Sequence, residues 1–265
     1  MSILRNFVIL SLAVFAATGC IHWAAAEAQK PREDLQKQVA SDIERLRQLK
    51  LPSVSQGLLT KGALAHPAEL AAPEGVGYYL AHPDRGANFG NDRLVFGLMS
   101  LGAHLRQQLG DHPDHRLRIH DLSSKTGGKL ERHVNHQMGL DVDLAFYATD
   151  PKGNPIPSTW SSYGADGKST DGRRLFDVRR NWEVVAGIIN NEHFGEIRAI
   201  LISNALKERL LTYAHQQRMG LPSQSETERA KLASLIEKAE VLMSQPTSSP
   251  HDNHFHISLS NAGKP

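Results

Sequence analysis

Hydrophobic residues recur at two different spacings along this chain of 265 residues. Spacings of three and four residues predict amphipathic helices, whereas alternation at every second residue predicts half-buried strands. Asn91 is a candidate N-cap for one helix, and Ser225-x-x-Glu228 is a capping-box pattern at the start of another. Helical spacing predicts helices over residues 33–49, 92–109, 181–190, 204–217 and 225–242.

Alternating segments lie among these helices. In the segment 139–147, Asp141 and Asp143 share one face, and leucine, valine and phenylalanine occupy the other. The segment 53–88 is rich in glycine, proline and alanine and is predicted to be a loop. Alternation predicts strands over 116–122, 139–147, 196–202 and 254–259. The mixture of helices with alternating strands predicts an α+β fold, with a small antiparallel sheet, helices packed on one side and the other face open.

Two clusters of metal-ligand side chains carry the candidate chemistry. The first is His133-x-x-His136-x6-Asp143, and the second, near the end of the chain, is His251-x-x-His254-x-His256. Neither cluster makes a metal site alone. Together they supply enough imidazole and carboxylate for a zinc ion with an open coordination position, on the open face of the sheet.

Strand and loop geometry allows these clusters to converge. Residues i and i+2 of a strand share a face, so His254 and His256 project together. Gly139 permits the bend that returns His136 over Asp143. The plainer alternatives are a solvated strand carboxylate and a surface patch of histidines, and the paired spacing makes both less favoured.

Several neighbouring side chains have less specific signals. Asp141 shares a face with Asp143 but falls outside the ligand spacing, which favours a supporting or structural role. Asp121 and Gln137 are candidates to hydrogen-bond the ligands, against the alternative of ordinary hydrogen bonding. For Trp182 and Tyr147, core packing is favoured over lining a substrate groove.

Composition excludes several classes of protein. The 30 basic and 28 acidic residues nearly balance, and no basic stripe is present, so nucleic acid is not expected as a partner. Cys20 is the single cysteine, which excludes internal disulfides. No Gly-x-Ser-x-Gly pattern is present to indicate a serine hydrolase.

The N-terminus has the pattern of an export signal. Arg5 precedes an apolar run over 7–17 that is too short to span a bilayer with ease. Ala24-Ala25-Ala26 suits an ordinary signal peptidase, whereas the residues 17–20 resemble a lipobox that would leave a lipidated Cys20 as a membrane tether. Either interpretation predicts a periplasmic protein.

The first cluster, read as His133-x-x-His136-Gln-x-Gly-Leu-Asp-Val-Asp143, and the terminal second cluster closely resemble the penicillin-insensitive murein endopeptidases. These belong to a wider group, called LAS, with lysostaphin-type endopeptidases, D-Ala-D-Ala carboxypeptidases and sonic hedgehog. The resemblance extends from about Gly75 to Ser260. It implies a LAS-type metallopeptidase domain over 75–260. The N-terminal pattern adds a signal peptide over 1–26 (or a lipoprotein signal ending before Cys20), and the remainder is a helical arm and loop over 27–74 and a tail over 261–265.

The resemblance also implies roles for the clustered residues. One zinc ion would be bound by His136, Asp143 and His256, with His133 at a position that can add a further ligand. His254 matches the histidine that assists catalysis, and His251 a further active-site histidine. Some members carry an Asp-Gly-x-His stretch near a second metal. This chain has Asp171-Gly-Arg-Arg174 there, so a second ion is not expected.

The function implied is that of a zinc-dependent murein endopeptidase. Its substrate would be the D-Ala to diaminopimelate cross-link of peptidoglycan, and β-lactams would not inhibit it because no serine is acylated. A D,D-carboxypeptidase with the same zinc site is one alternative. The other is a non-catalytic cell-wall binding module with structural zinc, because ligation by His133 would close the position that catalysis needs open.

Overall fold

The structure, a computed structural model, describes residues 35–158, 160–222 and 225–261. The predicted signal segment 1–26, with Cys20, lies outside the described residues, as do 33–34 of the first predicted helix and 262–265 of the tail. No helix in the described part is long and apolar enough to cross a membrane. The α-helices described are α1 over 35–49, α2 Asp92–Leu109, α3 Val178–Ile189, α4 Asn204–Gly220 and α5 Glu226–Leu242.

The predicted helices are confirmed, and side-chain caps set the starts of α2 and α3. The Asn91 side chain accepts a hydrogen bond from the backbone N–H of Arg93 at 3.1 Å, as predicted for α2. Helix α3 begins earlier than predicted because Asp177 accepts from the backbone N–H of Arg180 at 3.0 Å. The capping box predicted at Ser225 is wrong, since within the described residues its side chain makes no cap hydrogen bond to α5.

The strands are short, and most belong to one seven-stranded sheet of order β13-β12-β14-β8-β7-β5-β4. In chain order they are β1 Val54–Leu58, β2 Lys61–Ala65, β3 Ala68–Glu69, β4 Glu74–Gly75, β5 Tyr78–Leu80, β6 Phe89–Gly90, β7 Leu117–Ile119, β8 Asp141–Ala145, β9 Ala148–Thr149, β10 Pro155–Ile156, β11 Leu175–Phe176, β12 Ile197–Leu201, β13 Met243–Ser244 and β14 His254–Leu259.

The α+β class is confirmed, but the strand directions are mixed. The central strands β12, β14, β8 and β7 pair antiparallel, as predicted. Strand β5 runs parallel to β7, and β13 runs parallel to β12, which corrects the prediction of a wholly antiparallel sheet. The segments between these parallel partners include α2 and the pair α4 and α5, long enough to cross back over the sheet.

The segment predicted as a loop over 53–88 contains strands β1 to β5. Strands β1 and β2 form an antiparallel hairpin separate from the main sheet, and β4 and β5 extend that sheet at one edge. These strands were missed because they are short and their glycines and prolines resemble loop composition. The division between the predicted arm and the predicted domain stays a prediction.

The apolar faces of the central strands share one core with the helices. Its buried members include Val142 and Leu144 of β8, Phe255 and Ile257 of β14, and residues of α2 and α3. The opposite face of β8 is covered as well, because all five of its residues are buried. The polar face is therefore closed at this strand and not open as predicted, and imidazoles and Ser258 surround the aspartates.

The hairpin β1–β2 and the start of α2 hold the loop before β8 in place. The Ser55 hydroxyl donates to the Met138 carbonyl at 2.8 Å, and the Asn91 N–H donates to the Gly139 carbonyl at 2.7 Å. Gly139 has a φ of +66°, as its predicted bend requires. A Cβ built there would lie 2.8 Å from Asn91 N and 2.6 Å from Leu64 Cδ2. Position 139 therefore excludes any side chain.

Gly139→Ala tests this close approach. Gly153 is the matched control, since its φ is +87° but a Cβ there would meet no atom within 4 Å. Backbone strain alone should cost Gly153→Ala about 1–2 kcal/mol of unfolding free energy. Gly139→Ala should lose a further ~1–3 kcal/mol through overpacking. Urea denaturation of both variants measures the difference, and equal losses would show that the loop tolerates a methyl group.

Candidate metal centre

The antiparallel pairing of β8 with β14 brings the two histidine clusters together. Asp143 lies directly opposite His256, and Asp141 lies opposite Ser258. Directly opposed residues of an antiparallel pair project to the same side of the sheet. The second cluster therefore reaches the first across the backbone hydrogen bonds of two neighbouring strands.

A backbone hydrogen bond fixes the ring of His136 with Nδ1 as the donor and Nε2 facing the site. Its Nδ1 lies 2.6 Å from the Leu122 carbonyl oxygen, which can only accept, so Nδ1 donates. In the neutral ring Nε2 then offers its lone pair to a cation. Burial acts to lower the pKa of His136, but Asp143, whose Oδ1 lies 3.5 Å from Nε2, raises it. This Nε2 is buried without a hydrogen-bond partner among the described residues. An orphaned buried acceptor beside a carboxylate fits a metal cation.

His133 completes a cluster that could hold a metal ion. Ligand atoms of His133, His136 and Asp143 all lie within 4.8 Å of one another. His133 Nε2 lies 2.9 Å from Asp121 Oδ2, and its Nδ1 lies 3.6 Å from Asp143 Oδ2. Asp121 thus orients the ring with Nδ1 toward the centre, and Arg85 pairs with the same carboxylate at 3.1 Å.

Gln137 has a different place from Asp121. Its side-chain amide donates to the Val134 carbonyl at 3.0 Å, so it supports the shape of the loop and not a ligand side chain. Both residues were candidates for hydrogen bonds to the ligands. Of these two residues, Asp121 hydrogen-bonds the side chain of His133, and Gln137 has no described hydrogen bond to a cluster side chain.

His256 lies between two buried carboxylates. Its Nδ1 is 2.9 Å from Asp143 Oδ1, and its Nε2 is 3.1 Å from Asp141 Oδ1. Ser258 donates to Asp141 at 2.6 Å and accepts from the Arg198 guanidinium at 2.8 Å. Asp141 thus holds the His256 ring with Nδ1 facing Asp143. His256 is not part of the cluster of three but contacts its carboxylate directly.

The electrostatics of the site attract positive charge. Burial acts to raise the pKa of Asp143, but His136, His256 and His254 hold it well below its usual range. Burial acts to lower the pKa of His256, but hydrogen bonds to Asp141 and Asp143 raise it to about 9. Two buried carboxylates must be compensated, either by protons on histidine or by a metal cation. Metal binding must therefore displace protons and should weaken as the pH falls.

His254 and His251 lie beside this centre. His254 Nε2 is 3.5 Å from Asp143 Oδ1, and burial lowers the pKa of His254 to about 4. Its ring is therefore neutral at pH 7 and able to accept a proton. The His251 ring lies 5.0 Å from His254 and 5.8 Å from His256, between centroids, and burial lowers its pKa as well. All six predicted side chains thus converge on one site.

Several side chains near the site were not assigned a role from the sequence. Trp160 stacks on His254, and His120 contacts Trp160. Trp160 lies in a loop and has no spacing signal. His120 and Ser258 could have been found, because alternation puts His120 on the polar face of the predicted strand 116–122 and Ser258 on the polar face of β14.

Trp182 and Tyr147 are confirmed as core residues, being 4% and 0% exposed. The Tyr147 hydroxyl donates to the His115 carbonyl at 2.7 Å. Arg174, which stands where some relatives have a second-metal histidine, forms an ion pair with Asp171 at 2.9 Å. The prediction of one ion and not two remains a prediction.

These observations define an α+β protein with a buried histidine–aspartate cluster able to hold a metal ion. The family model described as penicillin-insensitive murein endopeptidase matches residues 55–221, and the chain belongs to this family. The family acts on murein, which implies peptidoglycan as the substrate and the periplasm or cell-wall space as the location. The matched range contains His133, His136 and Asp143. The second cluster lies beyond it, and no curated protein matches the chain.

Asp141→Asn tests whether the buried carboxylate supports metal binding through His256. The substitution keeps the shape and one acceptor but removes the charge, so zinc affinity should fall about 10- to 100-fold. Competition with a chromophoric chelator measures the affinity. Asp166→Asn, at an exposed aspartate, is the matched control and should bind zinc like the parent protein. Unchanged affinity in Asp141→Asn would show that Asp141 does not act on the metal.

Proposed function

We propose that the protein is a zinc-dependent murein endopeptidase that hydrolyses the D-Ala to diaminopimelate cross-link of peptidoglycan. One zinc ion would be held by His136, Asp143 and His256, with His133 at a position that can add a fourth ligand. The observation that carries the proposal is the β8–β14 register, which sets Asp143 opposite His256 in a member of a murein endopeptidase family. Export to the periplasm follows from the signal-like N-terminus.

The histidines supply the proton chemistry of this proposal. When bound, zinc would polarise a carbonyl and lower the pKa of water to about 7. His254 is neutral at pH 7, so its Nε2 accepts a proton from the water that adds to the scissile carbonyl. The same nitrogen then returns the proton to the departing amine. His251, packed against the His254 ring, borders the space in which these transfers occur.

Purified cross-linked muropeptide dimers test the activity. The zinc-loaded protein should convert them to monomers, with a new free amine on diaminopimelate, and mass spectrometry identifies the products. His254→Ala should keep its zinc but lose at least about 100-fold in kcat, since it removes the proton acceptor. His215→Ala is the control, because His215 lies half-exposed on α4. Cleavage should persist with penicillin present, and dimers that persist with zinc bound would exclude the endopeptidase.

Two alternatives have different products or none. A D,D-carboxypeptidase would release terminal D-Ala from pentapeptide monomers and leave the dimers intact. A cell-wall binding module with structural zinc would give no products at all. His133 bears on the binding module with structural zinc. Its Nδ1 lies 3.6 Å from Asp143 Oδ2, and a fourth protein ligand there would leave no coordination position open for water.

Cobalt substitution distinguishes an open metal site from a closed one. If the protein is an enzyme, azide added to the cobalt form should change its visible absorption spectrum, because a ligand position is open to solvent. His133→Ala in the cobalt form provides the comparison, since it cannot supply a fourth protein ligand. A parent spectrum that azide leaves unchanged, together with an azide-sensitive His133→Ala spectrum, would establish His133 as the closing ligand.

A further inference from the structure

Trp160 is an exposed aromatic residue in direct contact with a histidine of the site. It lies between β10 and β11 and is 41% exposed. Its indole stacks on the His254 imidazole, with ring centroids 4.3 Å apart and an interplanar angle of 17°. Burial of apolar surface does not explain an indole that stays this exposed. We therefore ask what the stacking of Trp160 on His254 does in the site.

The Trp160 indole has a second contact that limits its movement. The His120 ring lies 4.1 Å from it, between centroids, at an angle of 49°. His120 directly follows β7, and its backbone N–H donates to the Asp143 carbonyl at 2.8 Å. The indole therefore rests on a residue that is hydrogen-bonded to the metal-site strand itself.

The stack and one hydrogen bond together fix the orientation of His254. Its Nδ1 lies 2.5 Å from Asn253 Oδ1, which alone still allows the ring to pivot about that contact. A pivot would break the parallel stacking on Trp160. With both contacts made, Nε2 points toward Asp143 Oδ1 at 3.5 Å.

We propose that Trp160 is a positioning residue for His254, which it holds in the orientation needed for proton transfer. This inference rests on the proposed function, in which His254 Nε2 accepts the proton. A residue that acts in this way changes the rate of turnover and leaves substrate binding nearly unchanged. An indole that instead contacted the substrate would act on binding.

Kinetics of Trp160 variants test the role. Trp160→Ala should lower kcat about 10- to 100-fold, because a misplaced catalytic group costs about this much, with KM within about twofold of the parent. Trp160→Phe keeps an aromatic face for stacking and should recover kcat to within about threefold of the parent. Met219→Ala, which removes an exposed side chain on α4, is the control and should change neither constant.

Binding of an uncleaved substrate separates positioning from substrate contact. In a His254→Ala background, the muropeptide dimer should bind equally well, within about twofold, with or without Trp160→Ala, because the stacking partner is already gone. Weaker binding on removal of Trp160, or a raised KM with unchanged kcat in the kinetics, would overturn the proposal.

Proton NMR tests the stacking of Trp160 on His254 without an activity assay. The carbon-bound ring protons of His254 should be shifted by the indole ring current in the zinc-loaded protein, and Trp160→Ala should remove that shift. Unchanged His254 signals in Trp160→Ala would overturn the positioning role. If the parent protein cleaves no dimer although the shift behaves as expected, the proposed function fails while the contact between the two residues stands.

Discussion

In the pairing of β8 with β14, Asp143 lies directly opposite His256, and every other feature of the candidate site is arranged around that contact. A slip of one residue would turn these side chains to the opposite face of the sheet. The register is fixed from the apolar side, where Val142 and Ile257 also oppose each other within the core. Core packing thus determines the geometry of the polar site.

Two buried carboxylates on one strand are costly unless they are compensated. Asp141 receives hydrogen bonds from Ser258 and His256, and Asp143 is surrounded by imidazoles. The same attraction for positive charge that raises the pKa of His256 favours a divalent cation at this point. Burying these carboxylates costs folding free energy, and the same uncompensated negative charge attracts a metal cation.

Support for the site comes from parts of the chain that are distant in sequence. The hairpin β1–β2 hydrogen-bonds the loop before β8, Asp121 orients His133, and Trp160 stacks on His254. The contacts of Asp121 and Trp160 act on side chains of the two clusters, and the hairpin acts on the backbone of the loop that carries His136. The site is therefore a small set of reactive groups held by a larger set of residues that do no chemistry.

The sequence by itself determined the helices, the central strands and the six clustered residues, because these depend on periodicity and spacing within short segments. It also carried the family resemblance. Tertiary structure alone decided the parallel edge strands, the hairpin at 54–65, the covered face of β8 and the place of Trp160. These depend on contacts between residues far apart in the chain, where neither propensity nor spacing specifies which surfaces meet.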